Sequence, residues 1–166
     1  LTNVTIKNNI ATIYGGGIYC GAGSNPILTN VTIKNNNANI YGGGIFFDVS
    51  SPSLSNVTIS GNTATNNTAI NYGGGIFYYN AEMKTSKVIV SNNSAANGGG
   101  ICFHNAQTPL NDVAIINNVA TNNGSAIYTK TSAAPIITNS TITDNISNLG
   151  NTIYIYEGNP TFSQSN

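Results

Sequence analysis

Apolar and polar residues alternate in short runs along this chain. Val4 and Ile6 point one way, and Asn3, Thr5 and Lys7 the other. Ile18 and Cys20 share a side, with Tyr19 opposite. A period of two is the signature of strands. The runs are rich in Val, Ile, Thr, Tyr and Phe, which suit a pleated surface. No stretch of ten residues carries an apolar stripe at helical spacing. Asn, Gly, Ser and Thr crowd the gaps and mark turns.

The runs recur. Asn3-Val4-Thr5-Ile6 is followed by Gly15-Gly16-Gly17-Ile18, and Asn30-Val31-Thr32-Ile33 by Gly42-Gly43-Gly44-Ile45. Four weaker copies follow. The six copies align on Ile6, Ile33, Ile59, Val90, Ile115 and Ile142, at spacings of 25–31 residues. Three residues after each stands an asparagine: Asn9, Asn36, Asn62, Asn93, Asn118 and Asn145. A small residue, a glycine cluster and a closing isoleucine complete each unit. The third unit is longer, and its excess falls in residues 65–70, an inserted loop of the kind a solenoid tolerates.

Positions that recur once per unit are best served by stacking, each unit forming one coil of a parallel β-helix. At roughly 4.8 Å per rung, six coils make a rod of about 29 Å. Inward residues then form ladders. The recurring asparagines are expected to turn inward at a corner and hydrogen-bond to one another from coil to coil. The glycines are expected to supply positive φ or close backbone approach.

Ile33-x-x-Asn36-x-Ala38 followed by Gly42-Gly43-Gly44-Ile45 resembles the paired FxxN and GGA[ILV] motifs of polymorphic outer membrane protein repeats. That resemblance spans nearly the whole chain. It implies a right-handed parallel β-helix and a bacterial surface protein, often an adhesive autotransporter passenger. This chain differs in using Ile or Val where that family favours Phe, and Gly where it favours Ala.

Composition narrows the function classes. Charged residues are 6% of the chain, and the formal net charge is zero. There is no arginine, and the five lysines are scattered. Nucleic acid and acidic membranes both need a basic patch, so neither is an expected partner. No run of eighteen apolar residues marks a transmembrane helix. With no composition break, residues 1–166 read as a single β-helix domain. Its ends fall mid-unit, which points to a stretch of a longer solenoid or to rods that stack end to end.

Candidate chemistry is sparse. Cys20 and Cys102 lie three rungs apart, roughly 14 Å, beyond the 7 Å or so that a disulfide spans. Alternation places Cys20 inward and Cys102 outward, leaving two unpaired thiols or an intermolecular bridge through Cys102. The acids Asp48, Glu82, Asp112, Asp144 and Glu157 form no pair at the separation of about 5–10 Å that glycoside hydrolysis requires. His104 is the only histidine and shares a side with Cys102, two ligands where structural zinc needs three or four. No cofactor, metal site or catalytic residue is expected. Among the Asn-x-Ser/Thr triplets, Asn66 in the inserted loop is the best candidate for glycosylation.

One further ladder follows each closing isoleucine: Tyr19, Phe46, Phe77, Cys102, Tyr128 and Tyr154. Strict alternation turns this aromatic stripe outward, as a contact surface for a glycan, another rod or a covering segment. A parity shift at the glycine corner buries it instead. The expectation is a non-enzymatic extracellular or cell-surface β-solenoid, serving as a stalk, adhesin passenger or filament subunit. Its expected partners are copies of itself, other surface proteins or glycans. The alternative is a glycan-binding or polysaccharide-degrading β-helix with its catalytic coils elsewhere.

Overall fold

The computed structural model describes residues 1–65 and 71–165. Most of the inserted loop expected at 65–70, including Asn66, lies outside the described residues. Every regular element among those described is a strand, and every named pairing is parallel. Three six-stranded sheets run the length of the molecule. The first holds Thr5–Lys7, Ile27–Lys34, Ser53–Ser60, Lys84–Ser91, Val113–Ile116 and Thr141–Thr143. The second holds Ile10–Ala11, Asn37–Ala38, Thr63–Ala64, Ser94–Asn97, Val119–Asn123 and Ile146–Ser147. The third holds Ile18–Cys20, Ile45–Asp48, Ile76–Tyr79, Ile101–His104, Ile127–Lys130 and Ile153–Ile155. A shorter sheet pairs Pro109–Asn111, Ile136–Thr138 and Thr161–Ser163. The chain is a parallel β-solenoid of about six turns.

Register follows the repeat. Ile6 pairs with Ile33, Ile33 with Ile59, and the row continues through Val90 and Ile115 to Ile142. Ile18, Ile45, Ile76, Ile101, Ile127 and Ile153 form a second row. Both rows point into one core with Leu28, Leu54 and Phe47. The outer face of the first sheet carries Thr5, Thr32, Thr58, Ile89, Ala114 and Thr141 in register.

Corners are made by residues in the left-handed region. One falls inside the Asn-Val-Thr-Ile signal: Asn3, Asn30 and Asn56 have φ of 57°, 54° and 53°. The alternation pattern places these asparagines on the outward face of a strand, but they bend the strand instead. Asn tolerates this conformation because its short amide bonds locally. Lys87, Asp112 and Asn139 occupy the same corner in later coils. A second such corner holds Asn8, Asn35, Gly61, Asn92, Asn117 and Asp144. The abundance of asparagine is thus a backbone requirement as well as a surface property.

The asparagine row of the repeat does turn inward. Asn62 Nδ2 donates to Ile33 O and to Asn93 Oδ1, each at 3.0 Å. Its Oδ1 accepts from the backbone N of Asn36 at 2.9 Å and from Asn36 Nδ2 at 3.0 Å. The same exchange links Asn9 to Asn36, Asn93 to Asn118, and Asn118 to Asn145. Asn36, Asn62, Asn93 and Asn118 are buried, yet all their amide donors and acceptors are used. A carboxylate has no donor to offer here, so Asp cannot replace Asn.

Each glycine of a triplet has a different task. Gly42 has φ of 63° and turns the corner. A Cβ on Gly43 would collide with the backbone carbonyls of Thr63 and Gly74. A Cβ on Gly44 would crowd Asn62 Nδ2 at 3.0 Å and the Ile59 side chain. The third glycine therefore leaves the room that the asparagine ladder occupies.

Asn62→Ala strands donors and acceptors in two neighbouring coils. It should cost about 3 kcal/mol, since buried polar groups left unpaired lose 1–3 kcal/mol each. Asn56→Gly keeps the left-handed corner and loses only an exposed side-chain bond to Asn30, so it should change stability by a few tenths of a kcal/mol. Chemical denaturation of both variants checks the contrast.

Candidate functional site

The residue after each closing isoleucine leaves the main core, as alternation requires. It does not reach solvent in most coils. Phe46, Phe77 and Tyr128 are 5%, 2% and 6% exposed, and Cys102 is fully buried. Only Tyr19 is open, at 51%, while Tyr154 is partly buried. The stripe is therefore covered, although its parity is unchanged. The cover is Tyr14, Tyr41 and Tyr72, the residues immediately before the glycine clusters, which bridge in register. The positive-φ glycine folds each tyrosine back over the strand that follows. Tyr14 stacks on Tyr41 at 5.5 Å with rings 2° apart, and Tyr41 stacks on Phe77 at 4.8 Å. Tyr72 reaches Tyr128 at 5.4 Å, on either side of the coil that holds Cys102. That packing raises the Cys102 thiol pKa well above its usual value through burial, with Lys130 opposing. An intermolecular bridge through Cys102 has no access. Cys20 faces the main core, also as a free thiol.

Beside this aromatic layer runs a polar row: Asp48, Tyr79, His104 and Lys130, paired rung to rung in the third sheet. The two rows flank an axial groove with a volume of about 230 Å³. Phe46 and Phe77 form its floor, Tyr14, Tyr41 and Tyr72 one wall, and the polar row the other. Tyr19 donates its hydroxyl to Asp48 Oδ2 at 3.0 Å. Lys130 Nζ lies 4.4 Å from the Tyr72 ring centroid, a cation–π contact. His104 meets Tyr79 edge-on at 4.8 Å.

Electrostatics in the groove are mild. Burial pushes the Tyr41 and Tyr72 phenols up. The bond to Asp48 pushes Tyr19 up. Burial lowers the His104 pKa, Lys130 lowers it further, and Glu157 partly opposes. His104 is thus neutral near pH 7.

Sequence reasoning took Asp48 and His104 as isolated residues and passed over Tyr14, Tyr41, Tyr72, Tyr79 and Lys130 as members of rows. A signal was present: each tyrosine of the wall precedes a glycine cluster, and each polar-row residue stands three after a closing isoleucine. Asp112 and Asp144 sit at separate left-handed corners. Among the described residues, no three His, Cys, Asp or Glu side chains are grouped to hold a metal.

Residues 1–85, just over half of the chain, match the model of the right-handed beta helix region. The chain belongs to the right-handed β-helix family. Two later segments of this β-helix, residues 87–104 and 112–130, match the Chlamydia polymorphic membrane protein repeat. These matches agree with the resemblance carried by the Asn36 and Gly42–Ile45 motifs. No curated protein and no solved structure matches the β-helix.

The unfolded β-helix takes up a proton on its histidine near pH 6.5, and the folded one only at lower pH. The His104 contribution to stability is then complete above pH 6.5 and falls as pH drops through that value. Ring-proton NMR should give a His104 midpoint below 6.5. His104→Gln should flatten the loss of thermal stability between pH 7 and the histidine's folded midpoint. A midpoint at or above 6.5 contradicts the burial argument.

Proposed function

We propose that this β-helix is a non-enzymatic extracellular structural or adhesive element, a stalk or passenger that holds its outward rows away from a cell surface. The observation that carries this reading is uninterrupted axial pairing. Three parallel sheets continue through every coil, and the buried asparagine amides couple each coil to the next. Such coupling makes a rod that resists bending and presents side chains at a fixed rung spacing. The polymorphic membrane protein repeats at 87–104 and 112–130 point to a surface setting. Further coils or copies of the chain would join by the same register, so extension along the axis is the route to stalks or filaments.

Two measurements test the proposal. Antibody labelling of unpermeabilised source cells should decorate the surface, and electron microscopy of the labelled material should show rods or fibres. Label that appears only after permeabilisation overturns the surface reading. Incubation with a panel of polysaccharides should release no new reducing ends. Release that is lost on Asp48→Asn would establish the polysaccharide-degrading alternative.

A further inference from the structure

We propose that Asn123-Gly124 is a site of spontaneous covalent modification, where the asparagine side chain closes onto the following amide nitrogen and becomes aspartate or isoaspartate. Asn-Gly occurs twice in the chain, at Asn97-Gly98 and Asn123-Gly124. Ring closure is easiest at this pair, because glycine has no Cβ to hinder it. The two copies are equivalent by position: Asn97 and Asn123 pair in register, each just before a glycine corner. Their surroundings differ. At the first glycine of each cluster, the amide donates to a carbonyl of the next coil. Gly15 bonds Tyr41 O, Gly42 bonds Tyr72 O, Gly73 bonds Asn97 O and Gly98 bonds Asn123 O, all within 3.1 Å. The series stops at Gly124. The next coil turns away there, with Gly150 N donating back to Ser147 O at 3.1 Å. The Gly124 N–H has no acceptor among the described residues. Few backbone amides are left so.

The side chains differ in the same sense. Asn97 is 4% exposed, whereas Asn123 is half-buried. Asn123 Oδ1 accepts from Asn151 Nδ2 at 3.1 Å, which steadies the charge that develops on that oxygen during attack at Cγ. The turn above it is exposed at Leu149 and Gly150, and its local opening admits base and water. Gly124 N then yields its proton to hydroxide and bonds to Asn123 Cγ. The Cγ–Nδ2 bond breaks, and the nitrogen leaves as ammonia with a proton from water. A second water opens the cyclic succinimide at either carbonyl, giving aspartate or isoaspartate. No oxidant, cofactor or enzyme enters the balance. Isoaspartate routes the backbone through the side-chain carbon and lengthens it by one atom. The Asn123 carbonyl that holds Gly98 N is then displaced, so the product loosens the pairing of the fourth and fifth coils. The chemistry is intrinsic to the chain and independent of its scaffold role.

The test incubates the whole folded chain in mildly alkaline buffer and maps its peptides by mass under acidic conditions. The peptide holding Asn123 should show the mass change of amide-to-acid conversion. Asn97 should convert about tenfold more slowly, the factor that one backbone hydrogen bond supplies. The rate at Asn123 should rise with pH, as attack by a deprotonated amide requires. Isoaspartate should be among the products, read out by an isoaspartyl methyltransferase with S-adenosylmethionine. Asn123→Gln, whose longer side chain closes the ring far more slowly, should remain unconverted, and circular dichroism checks that it folds. Hydrogen exchange on the unaltered chain needs no variant, and should find the Gly124 amide less protected than that of Gly98. Equal or faster conversion at Asn97 overturns the proposal. So does a Gly124 amide as protected as that of Gly98, or an Asn123 that survives in the folded chain while an isolated peptide from Val119 to Tyr128 converts.

Discussion

A buried primary amide that must meet its copy in the next coil is the constraint on which this molecule depends. Asn36, Asn62, Asn93 and Asn118 are out of contact with water, and each uses its amide to hold two neighbours and a backbone carbonyl. Leaving any of those groups unpaired in the interior would cost more than a typical hydrogen bond contributes. The chain can vary the length of a coil only if the asparagine returns to its place. It does so across the longest coil, where Asn62 and Asn93 are 31 residues apart and still bond at 3.0 Å. The glycine triplet answers the same constraint from the other side, since a side chain at Gly44 or Gly75 would press on the amide nitrogen.

That triplet also shapes the outer surface. Its first glycine turns the chain through a left-handed conformation, and the tyrosine before it lies back over the aromatic residue that follows the closing isoleucine. A device that serves the core thus builds a second hydrophobic layer outside the solenoid. Aromatic pairs of this kind contribute about 0.5–1.5 kcal/mol each beyond their buried area. Where Asn97 takes the place of tyrosine, Cys102 takes the place of phenylalanine, and Tyr72 and Tyr128 close the gap. The groove follows from this layering. It is the trough left between the folded-back tyrosines and the last residue of the four middle strands in the third sheet.

The coils, their register and the inward asparagines were legible because each recurs at one position and obeys one requirement, burial. The left-handed corner at Asn30 and Asn56 was not, because alternation alone assigns those residues to a strand face and carries no information on φ. The groove was harder still. Its polar row is Asp48, Tyr79, His104 and Lys130, which share a position but no chemistry. A search for like residues at like positions passes over such a row. The aromatic stripe was seen, but its cover was not, since the covering tyrosines lie across a corner whose geometry the residue pattern leaves open. The expected loop at 65–70 falls largely outside the described residues.

The contrast between uniform inward rows and varied outward rows says where function can reside in this fold. Inward positions are coupled through packing and amide exchange, so a change in one coil is felt in two others. The last outward position of the third-sheet strands is coupled more loosely, through the Tyr19–Asp48 hydrogen bond and the contacts of His104 with Tyr79 and of Lys130 with Tyr72. A carboxylate, a phenol, an imidazole and an ammonium succeed one another there over three rungs while the isoleucine row beneath stays unchanged. The backbone is already committed to pairing along the axis, so recognition must come from side chains alone. A solenoid of this kind presents a line of chemically varied groups beside a buried aromatic layer, over a core whose rows do not change.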